Sequence, residues 1–321
     1  MISLARQAQR GLKRSHRRIP EVKSEHTFTE VVGGRWHISW LTIKRWMKIV
    51  NVIKKIIARA VGEAGVMAAK KLLYARKGEP IEYGPHKLRY VPGTRPIRLS
   101  YRDAADVITR NDARQLQFFL DRVKTGDLVL DIGGHVGQYA VLFSSLAGEA
   151  GRVVTFEPDA AARKILLRNL ALNSCGERVK VEGIALSDSD GTHSFFSRGG
   201  DSMSSLARSG LGNNAAALDV TEHVVTTMRL DDYLTRNGLG FPQWIKLDTE
   251  GAEINILRGA RELLKSGAVI VCELHPYVWN EFGTTFEELL QLVRESGRTI
   301  RYLDEEQKIE HGAVYGATII S

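Results

Sequence analysis

The chain has 321 residues, of which 43% are hydrophobic, 26% charged and 7% aromatic. This composition excludes fibrous and wholly disordered proteins, and it suffices for one large domain with an appendage or for two modest domains. No apolar run reaches 18 residues and basic residues interrupt the N-terminus, so we expect neither a spanning helix nor a signal peptide. Because Cys175 and Cys272 are the only cysteines, we expect no disulfide framework and predict a cytoplasmic protein.

The net charge of +8 is distributed unevenly along the chain. Residues 1–100 hold 22 lysines and arginines against 6 glutamates, whereas the remaining residues carry a formal charge of −8. Such a split is typical of a basic arm attached to a neutral or acidic domain. We therefore predict a basic arm with an amphipathic helix at 1–80, lead-in strands and a helix at 81–125, and the main domain at 126–321.

The basic arm contains one segment with a helical pattern. Residues 1–35 are polar and aperiodic, so we expect little fixed structure there. Over residues 40–73, apolar residues such as Trp46 and Val50 recur at helical spacing, and lysines such as Lys44 and Lys48 fill the opposite stripe. This helix is suited to an anionic membrane surface at the inner membrane face, to packing or homodimerisation, or to RNA phosphates. We favour packing or dimerisation over the membrane, and the membrane over nucleic acid.

The rest of the chain predicts an α/β domain. Residues 80–100 contain four prolines and predict a loop or a pair of short edge strands, and residues 101–123 predict one helix. The predicted strands are 128–132, 153–156, 179–185, 244–247, 269–272, 299–303 and 313–320. The predicted helices are 138–146, 160–172, 252–264 and 286–296. This alternation indicates a mostly parallel sheet covered on both faces.

The regular alternation is interrupted between the third and fourth predicted strands. Residues 192–196 and 223–228 alternate as in a β-hairpin, and they bracket a loop rich in glycine, serine and asparagine at 197–214. Long irregular loops beside a sheet are often substrate loops or lids. We interpret this loop, with its Ser202, Ser204 and Ser205, either as a segment that closes over the substrate or as one with no such role.

The clearest motif follows the first of these strands, in the sequence Val129-Leu130-Asp131-Ile132-Gly133-Gly134-His135-Val136-Gly137. Its glycines permit a tight turn and close backbone approach to a ligand, and the next helix offers free N–H groups. Twenty residues later, a second strand ends in Glu157, a position where a carboxylate accepts hydrogen bonds from a ribose diol. The spacing Asp-x-Gly-x-x-x-Gly differs from the dinucleotide motif Gly-x-Gly-x-x-Gly, which disfavours NAD and favours a ligand that presents an amino-acid end.

This motif resembles the first motif of S-adenosylmethionine-dependent methyltransferases. Further motifs resemble those of the FkbM family: Phe156-Glu157-Pro158, then Ile245-Lys246-Leu247-Asp248-Thr249-Glu250-Gly251-Ala252-Glu253 with Ile256-Leu257-Arg258-Gly259-Ala260, and finally Glu273-Leu274-His275-Pro276. Together they cover roughly residues 126–303. The resemblance implies a Rossmann-like seven-stranded sheet whose last strand is antiparallel, S-adenosyl-L-methionine as the cofactor, and methyl transfer to oxygen.

The resemblance also implies roles for individual residues. It places Asp131 and the three glycines of the turn, Gly133, Gly134 and Gly137, at the cofactor's amino-acid end. It places Glu157 on the ribose hydroxyls. Asp188 follows the third strand, where such enzymes contact adenine, and it is either an adenine acceptor or a solvated turn residue. The family often has Ala-Asn in place of Gly134-His135, so His135 either bonds the cofactor or caps the helix, and we favour the cap.

Methyl transfer to a hydroxyl requires alignment and a proton acceptor or a metal. We predict Asp248, His275 and Glu273 as the catalytic residues, because they follow neighbouring strands and because His275 titrates near neutrality. Asp248 with Glu273 or His275 also suits Mg²⁺, although we do not favour a bound metal. Alternatively, some of these carboxylates only orient loops or cap a helix. We interpret Glu250 and Glu253 either as architectural in this sense or as residues close to the cofactor.

The predicted function is therefore an S-adenosylmethionine-dependent O-methyltransferase. The family resemblance implies a hydroxyl of a sugar, glycolipid or secondary metabolite as the acceptor. The alternative is an RNA or protein methyltransferase that docks through the basic arm, although the absence of an Asn/Asp-Pro-Pro-Tyr motif argues against base N-methylation. An NAD-dependent oxidoreductase is disfavoured by the glycine spacing, and a catalytically inactive scaffold by the four intact motifs.

Overall fold

The computed structural model describes residues 77–91, 94, 107–197, 204–206, 220–309 and 312–321, with the backbone alone at 31–32, 35–36 and 107–111. The chain divides into two compact units, Met1–Ala68 and Ala69–Ser321. In the first unit, β1 (Val31–Val32) and β2 (Arg35–Trp36) form an antiparallel pair. The amphipathic helix predicted over 40–73 lies outside the described residues.

The second unit alternates strands and helices along most of its length. Its strands are β3 (Glu79–Tyr83), β4 (His86–Tyr90), β5 (Leu128–Ile132), β6 (Arg152–Phe156), β7 (Val179–Glu182), β8 (Ala185–Leu186), β9 (Gly191–Ser197), β10 (Thr221–Met228), β11 (Trp244–Leu247), β12 (Val269–Leu274), β13 (Ile300–Tyr302) and β14 (Gly316–Ile320). Its helices are α1 (Val107–Arg122), α2 (Gln138–Ala147), α3 (Ala160–Leu172), α4 (Leu230–Arg236), α5 (Glu253–Arg258), α6 (Arg261–Leu264) and α7 (Phe286–Glu295), with 3₁₀ turns at Gly176–Arg178 and Trp279–Phe282. None of the described helices is long and apolar enough to cross a membrane.

Seven strands form the central sheet, in the order β13-β14-β12-β11-β5-β6-β7. All neighbours are parallel except those of β14, which runs antiparallel to both β12 and β13. The reversal of strand order between β5 and β11 creates the topological switch point at which α/β folds bind ligands. The structure confirms the predicted Rossmann-like seven-stranded sheet with an antiparallel last strand.

Side chains of successive strand residues point to opposite faces of the sheet, and both faces are buried. Leu130 and Ile132 belong to one apolar cluster, which includes Ile254 of α5. Val129 belongs to the second cluster, which includes Phe143 of α2. Asp131 shares the face of Val129, and its side chain is almost completely buried. Such burial requires a charged partner or a function.

Several predicted boundaries are wrong for identifiable reasons. The helix predicted over 252–264 is broken into α5 and α6 at Gly259, where an added Cβ would lie 2.2 Å from the carbonyl oxygen of Ser187. The strand predicted over 179–185 ends at Glu182, and β8 instead pairs with β10 in a separate three-stranded sheet. Helix α4 was not predicted, because its seven residues are too few for a helical pattern to stand out.

The hairpin expected between the third and fourth predicted strands is present. Strands β9 and β10 pair antiparallel along the whole length of β9. An antiparallel pair of strands, β3 and β4, is likewise present, with Pro80 inside β3 and Pro85 in the turn between them, and this pair was one of the two predicted alternatives. Residues 198–203 and 207–214 of the predicted substrate loop lie outside the described part of the chain.

The fold brings the sequence motifs to one edge of the sheet. Gly133 follows β5, Glu157 follows β6, Asp248 follows β11 and His275 follows β12. These four strands are mutually parallel, so their carboxyl ends meet at the same edge. Four motifs that are far apart in sequence therefore converge on one place.

Candidate active site

The glycine turn after β5 packs tightly against two neighbouring strands. The amide groups of Gly133 and Gly134 both donate to the carbonyl oxygen of Phe156, at 3.1 and 2.9 Å. Gly133 has a φ of +85°, and an added Cβ would lie 1.7 Å from the carbonyl oxygen of Asp248. An added Cβ on Gly134 would lie 2.0 Å from Oγ1 of Thr155. Only glycine fits these two positions, and the turn is thereby fixed beside Asp248.

A cavity of about 340 Å³ opens above this turn, a size typical of small-ligand sites. One wall consists of the glycine turn with Glu157, and another consists of Lys246, Asp248 and Glu250. Apolar side chains, including Ile184, Leu186 and Phe195, complete the lining. A predominantly apolar cavity with a few converging polar groups is the usual form of a cofactor pocket.

Glu157 presents a buried carboxylate to this cavity. Its Oε2 accepts from the amide of His135 at 2.6 Å, and its Oε1 accepts from the amide of Asp159 at 2.7 Å. Burial raises the pKa of Glu157 to about 7, although the two amides counteract this effect. Each oxygen has a second lone pair, so the carboxylate can still accept hydrogen bonds from two hydroxyl groups. The predicted position of Glu157 at a ribose diol fits this geometry.

The structure gives His135 a role that neither predicted alternative contained. Its backbone has a φ of +45°, which is uncommon for a residue other than glycine, and its amide group holds Glu157. The helix α2 begins instead after Gly137, whose φ is +81°. His135 therefore shapes the loop through its main chain, while its side chain also lines the cavity.

Sequence reasoning missed Lys246, which lies at the centre of the site. Its ammonium group is buried, 2.9 Å from Oδ2 of Asp248, and it is paired across the sheet with Asp131. Asp248 and Asp131 hold the pKa of Lys246 above its usual range, and the ammonium in turn lowers the pKa of Asp248. The sequence did contain a signal for this role, because Lys246 lies between Ile245 and Leu247 in an apolar strand. A buried lysine in such a strand requires a partner of opposite charge.

Asp131 is a second buried carboxylate behind the glycine turn. Oγ1 of Thr155 donates to its Oδ2 at 3.2 Å, while its Oδ1 has no hydrogen-bond partner within the described residues. Burial raises the pKa of Asp131 to about 6, against the opposing effect of Lys246. Asp131 also lines the cavity, and an unsatisfied carboxylate oxygen there suits a ligand with a positively charged donor.

His275 lies beneath the carboxylates rather than in the cavity lining. Its Nδ1 lies 2.9 Å from Oε1 of Glu253, and its Nε2 lies 3.7 Å from Glu250 and 3.8 Å from Asp248. These carboxylates, Glu253 above all, raise the pKa of His275 to about 10 despite its burial. An imidazolium cannot accept a proton, so this geometry argues against our interpretation of His275 as the general base.

Glu253 is the anchor of this cluster. The carboxylate is fully buried, and it accepts hydrogen bonds from the amide of Gly251 at 2.8 Å and from Nε1 of Trp279 at 2.9 Å, in addition to His275. Three donors satisfy most of its acceptor capacity and fix its position. Its architectural role agrees with the sequence interpretation.

Glu250 lies on the cavity side of the cluster. It has a φ of +50°, its side chain lines the cavity, and the hydroxyl of Tyr277 donates to its Oε2 at 3.0 Å. Burial raises the pKa of Glu250 to about 7, although His275 counteracts this effect. A non-glycine residue in this backbone region often marks a functional site.

Three other predicted site residues lie outside the cavity lining: Gly137, Glu273 and Asp188. Glu273 is buried and accepts from Nε2 of Gln115 at 2.8 Å and from the hydroxyl of Tyr315. Asp188 is exposed, and it forms an ion pair with Arg258 at 3.6 Å. Glu273 therefore supports the cluster from behind, and Asp188 occupies the solvated position that was the alternative to adenine contact.

The donor groups do not fit a resident divalent cation. Asp248, Glu250 and His275 each offer one ligand atom, and these atoms lie within 4.8 Å of one another. However, the ammonium group of Lys246 lies 2.9 Å from Oδ2 of Asp248 and already neutralises this carboxylate. A protein cation therefore occupies the place next to Asp248 that a metal ion would need.

The same residues fit S-adenosyl-L-methionine. Glu157 offers acceptors for the ribose hydroxyls, and the apolar walls suit the adenine ring. Around the glycine turn the carboxylates of Asp131, Asp248 and Glu250 outnumber the ammonium of Lys246. A surplus of negative charge favours a ligand that carries a cationic sulfur and an ammonium group.

Comparison with known proteins agrees with these features. The methyltransferase FkbM domain model matches residues 131–300, which is more than half of the chain. A hexuronic acid methyltransferase, AglP, from Haloferax volcanii is 24% identical over 166 residues, which are 52% of this chain and 63% of that protein. A probable cobalt-precorrin-6B C(15)-methyltransferase (decarboxylating) from Saccharolobus solfataricus is 37% identical over 79 residues, which are 25% of this chain and 39% of that protein.

Among solved structures, precorrin-6y C5,15-methyltransferase from Geobacter metallireducens aligns with a TM-score of 0.37 and 14% identity, over 68% of this chain and 89% of that chain. The matched part of the chain spans less than two thirds of either curated relative. The family match covers the glycine turn, Glu157, the Lys246 strand and the His275 cluster. The chain belongs to the FkbM methyltransferase family, as its motifs predict.

Proposed function

We propose that the protein transfers a methyl group from S-adenosyl-L-methionine to a hydroxyl group of a sugar, glycolipid or secondary metabolite. One observation carries the proposal: a single cavity joins a carboxylate suited to a ribose diol, Glu157, to the carboxylates Asp248 and Glu250. The name of one relative, hexuronic acid methyltransferase, supports a carbohydrate as the acceptor of the methyl group.

The residues of the site have different roles in such a reaction. S-adenosyl-L-methionine, when bound, supplies an activated methyl group on a cationic sulfur. The glycine turn and Glu157 hold one end of the cavity in place, while Lys246 keeps Asp248 ionised. Ionised Asp248 favours the approach of positive charge and accepts a hydrogen bond from an acceptor hydroxyl. Apolar side chains around the cavity limit the access of water.

A labelling experiment tests the proposal. Polysaccharide and lipid extracts are incubated with the protein and S-adenosylmethionine carrying a deuterated methyl group, and the products are analysed by mass spectrometry. We expect an acceptor in which one hydroxyl hydrogen is replaced by a trideuterated methyl group, with the label on oxygen. Label found only in RNA or protein, added as parallel substrates, would contradict the proposed acceptor class and favour the alternative of docking through the basic arm.

The basic segment at residues 40–73 remains a proposed contact. We propose that it packs within a homodimer or lies on an anionic membrane surface, on the basis of its sequence pattern alone. Sedimentation with anionic vesicles at low and high salt tests the membrane contact, because an electrostatic interaction weakens with salt. Absence of sedimentation at low salt would contradict it.

A further inference from the structure

We infer that Glu250 is the general base of the methyl transfer and that Tyr277 positions its carboxylate. The inference rests on the proposed function and assigns to Glu250 the proton transfer that the sequence suggested for His275. Among the described carboxylates that line the cavity, Asp248 is bound by Lys246, and Glu157 is held by two backbone amides. Glu250 differs from both, because within the described residues neither an ammonium group nor a backbone amide is hydrogen-bonded to its carboxylate, which accepts from the hydroxyl of Tyr277. Asp131 also lines the cavity, but it is only 1% exposed and accepts from Oγ1 of Thr155.

The backbone fixes Glu250 at the edge of the cavity. The hydroxyl of Ser205 donates to its carbonyl oxygen at 2.9 Å. The next residue, Gly251, has a φ of +111°, and an added Cβ there would lie 2.7 Å from the ring of Phe282. The strained φ of Glu250 is thus held from both sides. A fixed backbone limits the positions that the carboxylate can take, which is what a proton acceptor requires.

The surrounding charges suit a carboxylate that changes its protonation state. Glu250 faces two other carboxylates, Asp248 and Glu253, which disfavour its ionisation, and also His275 and the hydroxyl of Tyr277, which favour it. Together with burial, these groups raise the pKa of Glu250 to about 7. A base whose pKa lies close to the working pH is partly ionised there and still binds a proton well.

The proposed step balances in atoms and charge. The acceptor oxygen forms a bond to the methyl carbon while the carbon–sulfur bond breaks, and the electron pair of that bond stays on sulfur. The hydroxyl proton moves to Oε1 of Glu250. One positive charge on sulfur and one negative charge on the carboxylate disappear together, so the site gains no net charge. Solvent takes the proton from Glu250 after the product leaves, since its side chain is 16% exposed.

The test uses the full chain, a tritiated methyl donor and the extract that the wild-type protein methylates. We expect Glu250→Gln, which keeps the size of the side chain and an acceptor for Tyr277, to lower the initial rate by roughly 10²- to 10⁴-fold. Its affinity for S-adenosylhomocysteine is expected to stay close to the wild-type value, because this ligand lacks the cationic sulfur that the carboxylate of Glu250 favours. Glu287→Gln is the matched control, because Glu287 is 72% exposed and pairs with Arg294 away from the cavity.

The pH profile separates a base from a merely structural residue. The wild-type rate should fall about tenfold per pH unit below pH 7, because protonated Glu250 is inactive. Tyr277→Phe removes a hydrogen bond that favours the ionised carboxylate, so we expect this fall to begin at a higher pH. An unmoved profile in Tyr277→Phe, or a Glu250→Gln rate within tenfold of wild type, would overturn the inference. Absence of any methyl transfer by the wild-type protein, despite binding of S-adenosylhomocysteine, contradicts the proposed acceptor class instead.

Discussion

The close approach between the glycine turn and the strand that carries Asp248 gives a direct test of the site's architecture. In Gly133→Ala, the added Cβ would lie 1.7 Å from the carbonyl oxygen of Asp248, so the turn or the Asp248 peptide must move. The residue would also have to adopt a φ of +85°, which is unfavourable for alanine. The substitution therefore disturbs both the cofactor wall and the carboxylate wall of the cavity.

The magnitude follows from two separate costs. Left-handed backbone costs alanine about 1–2 kcal/mol, and forcing an extra carbon into a packed region costs about 1–3 kcal/mol more. Gly126→Ala is the matched control, because Gly126 has a φ of +94° but an added Cβ there would meet nothing within 4 Å. The control should therefore lose only the free energy of unfolding that the left-handed backbone costs. The difference in unfolding free energy between the two variants then measures the steric clash.

Thermal unfolding and calorimetric titration measure these effects. For a domain of this size a loss of 1 kcal/mol lowers the melting temperature by about 2–4 °C, so we expect Gly133→Ala to melt roughly 2–12 °C below Gly126→Ala. Binding of S-adenosylhomocysteine should weaken in Gly133→Ala and remain unchanged in Gly126→Ala. Equal melting temperatures and equal affinities in the two variants would refute the packing of the turn against Asp248.

Two further predictions concern the buried charges. Lys246→Met should lower the free energy of unfolding by about 2–4 kcal/mol, because it leaves the ionised carboxylate of Asp248, which is 29% exposed, without its cation. The double variant Lys246→Met/Asp248→Asn should recover part of that loss, and urea unfolding measures both effects. The raised pKa of His275 adds stability that is present below pH 6.5 and is lost as the pH rises to about 10. Between pH 7 and pH 10 the free energy of unfolding should therefore fall further in the wild-type protein than in His275→Gln, by at most roughly 4 kcal/mol. Parallel curves of unfolding free energy against pH in the two proteins would contradict the charged state of His275.

The motifs that end strands were the part of the site most open to prediction from sequence. A carboxylate directly after an apolar strand of a parallel sheet lies at the carboxyl edge of that sheet whatever the rest of the fold is. Glu157 and Asp248 were therefore expected at this edge, and both line the cavity above the glycine turn. The seven-stranded sheet with its antiparallel last strand followed from the family resemblance, and its mostly parallel character followed from the alternation of strands and helices.

The roles within the cluster depended on contacts that sequence spacing does not encode. The protonation of His275 depends on Glu253, which lies 22 residues away along the chain and was interpreted as architectural. Lys246 was missed because a lysine within a strand gives no spacing signal until its partners are known. Glu273 follows the same pattern, since Gln115 and Tyr315 reach it from distant elements. The residue types predicted which acidic and basic groups the site contains. Only the packing showed which of these groups are bonded to each other.

Calorimetric titration of S-adenosylhomocysteine into the wild-type protein, Glu157→Gln and Glu149→Gln tests the central claim most directly. A hydrogen bond to a charged group contributes about 1.5–3 kcal/mol, so Glu157→Gln should bind at least roughly tenfold more weakly than the wild type. Glu149 is 92% exposed and outside the cavity, so its variant should bind normally. Absence of binding heat in the wild-type protein, or equal affinity in all three proteins, would contradict a cofactor site at the end of β5.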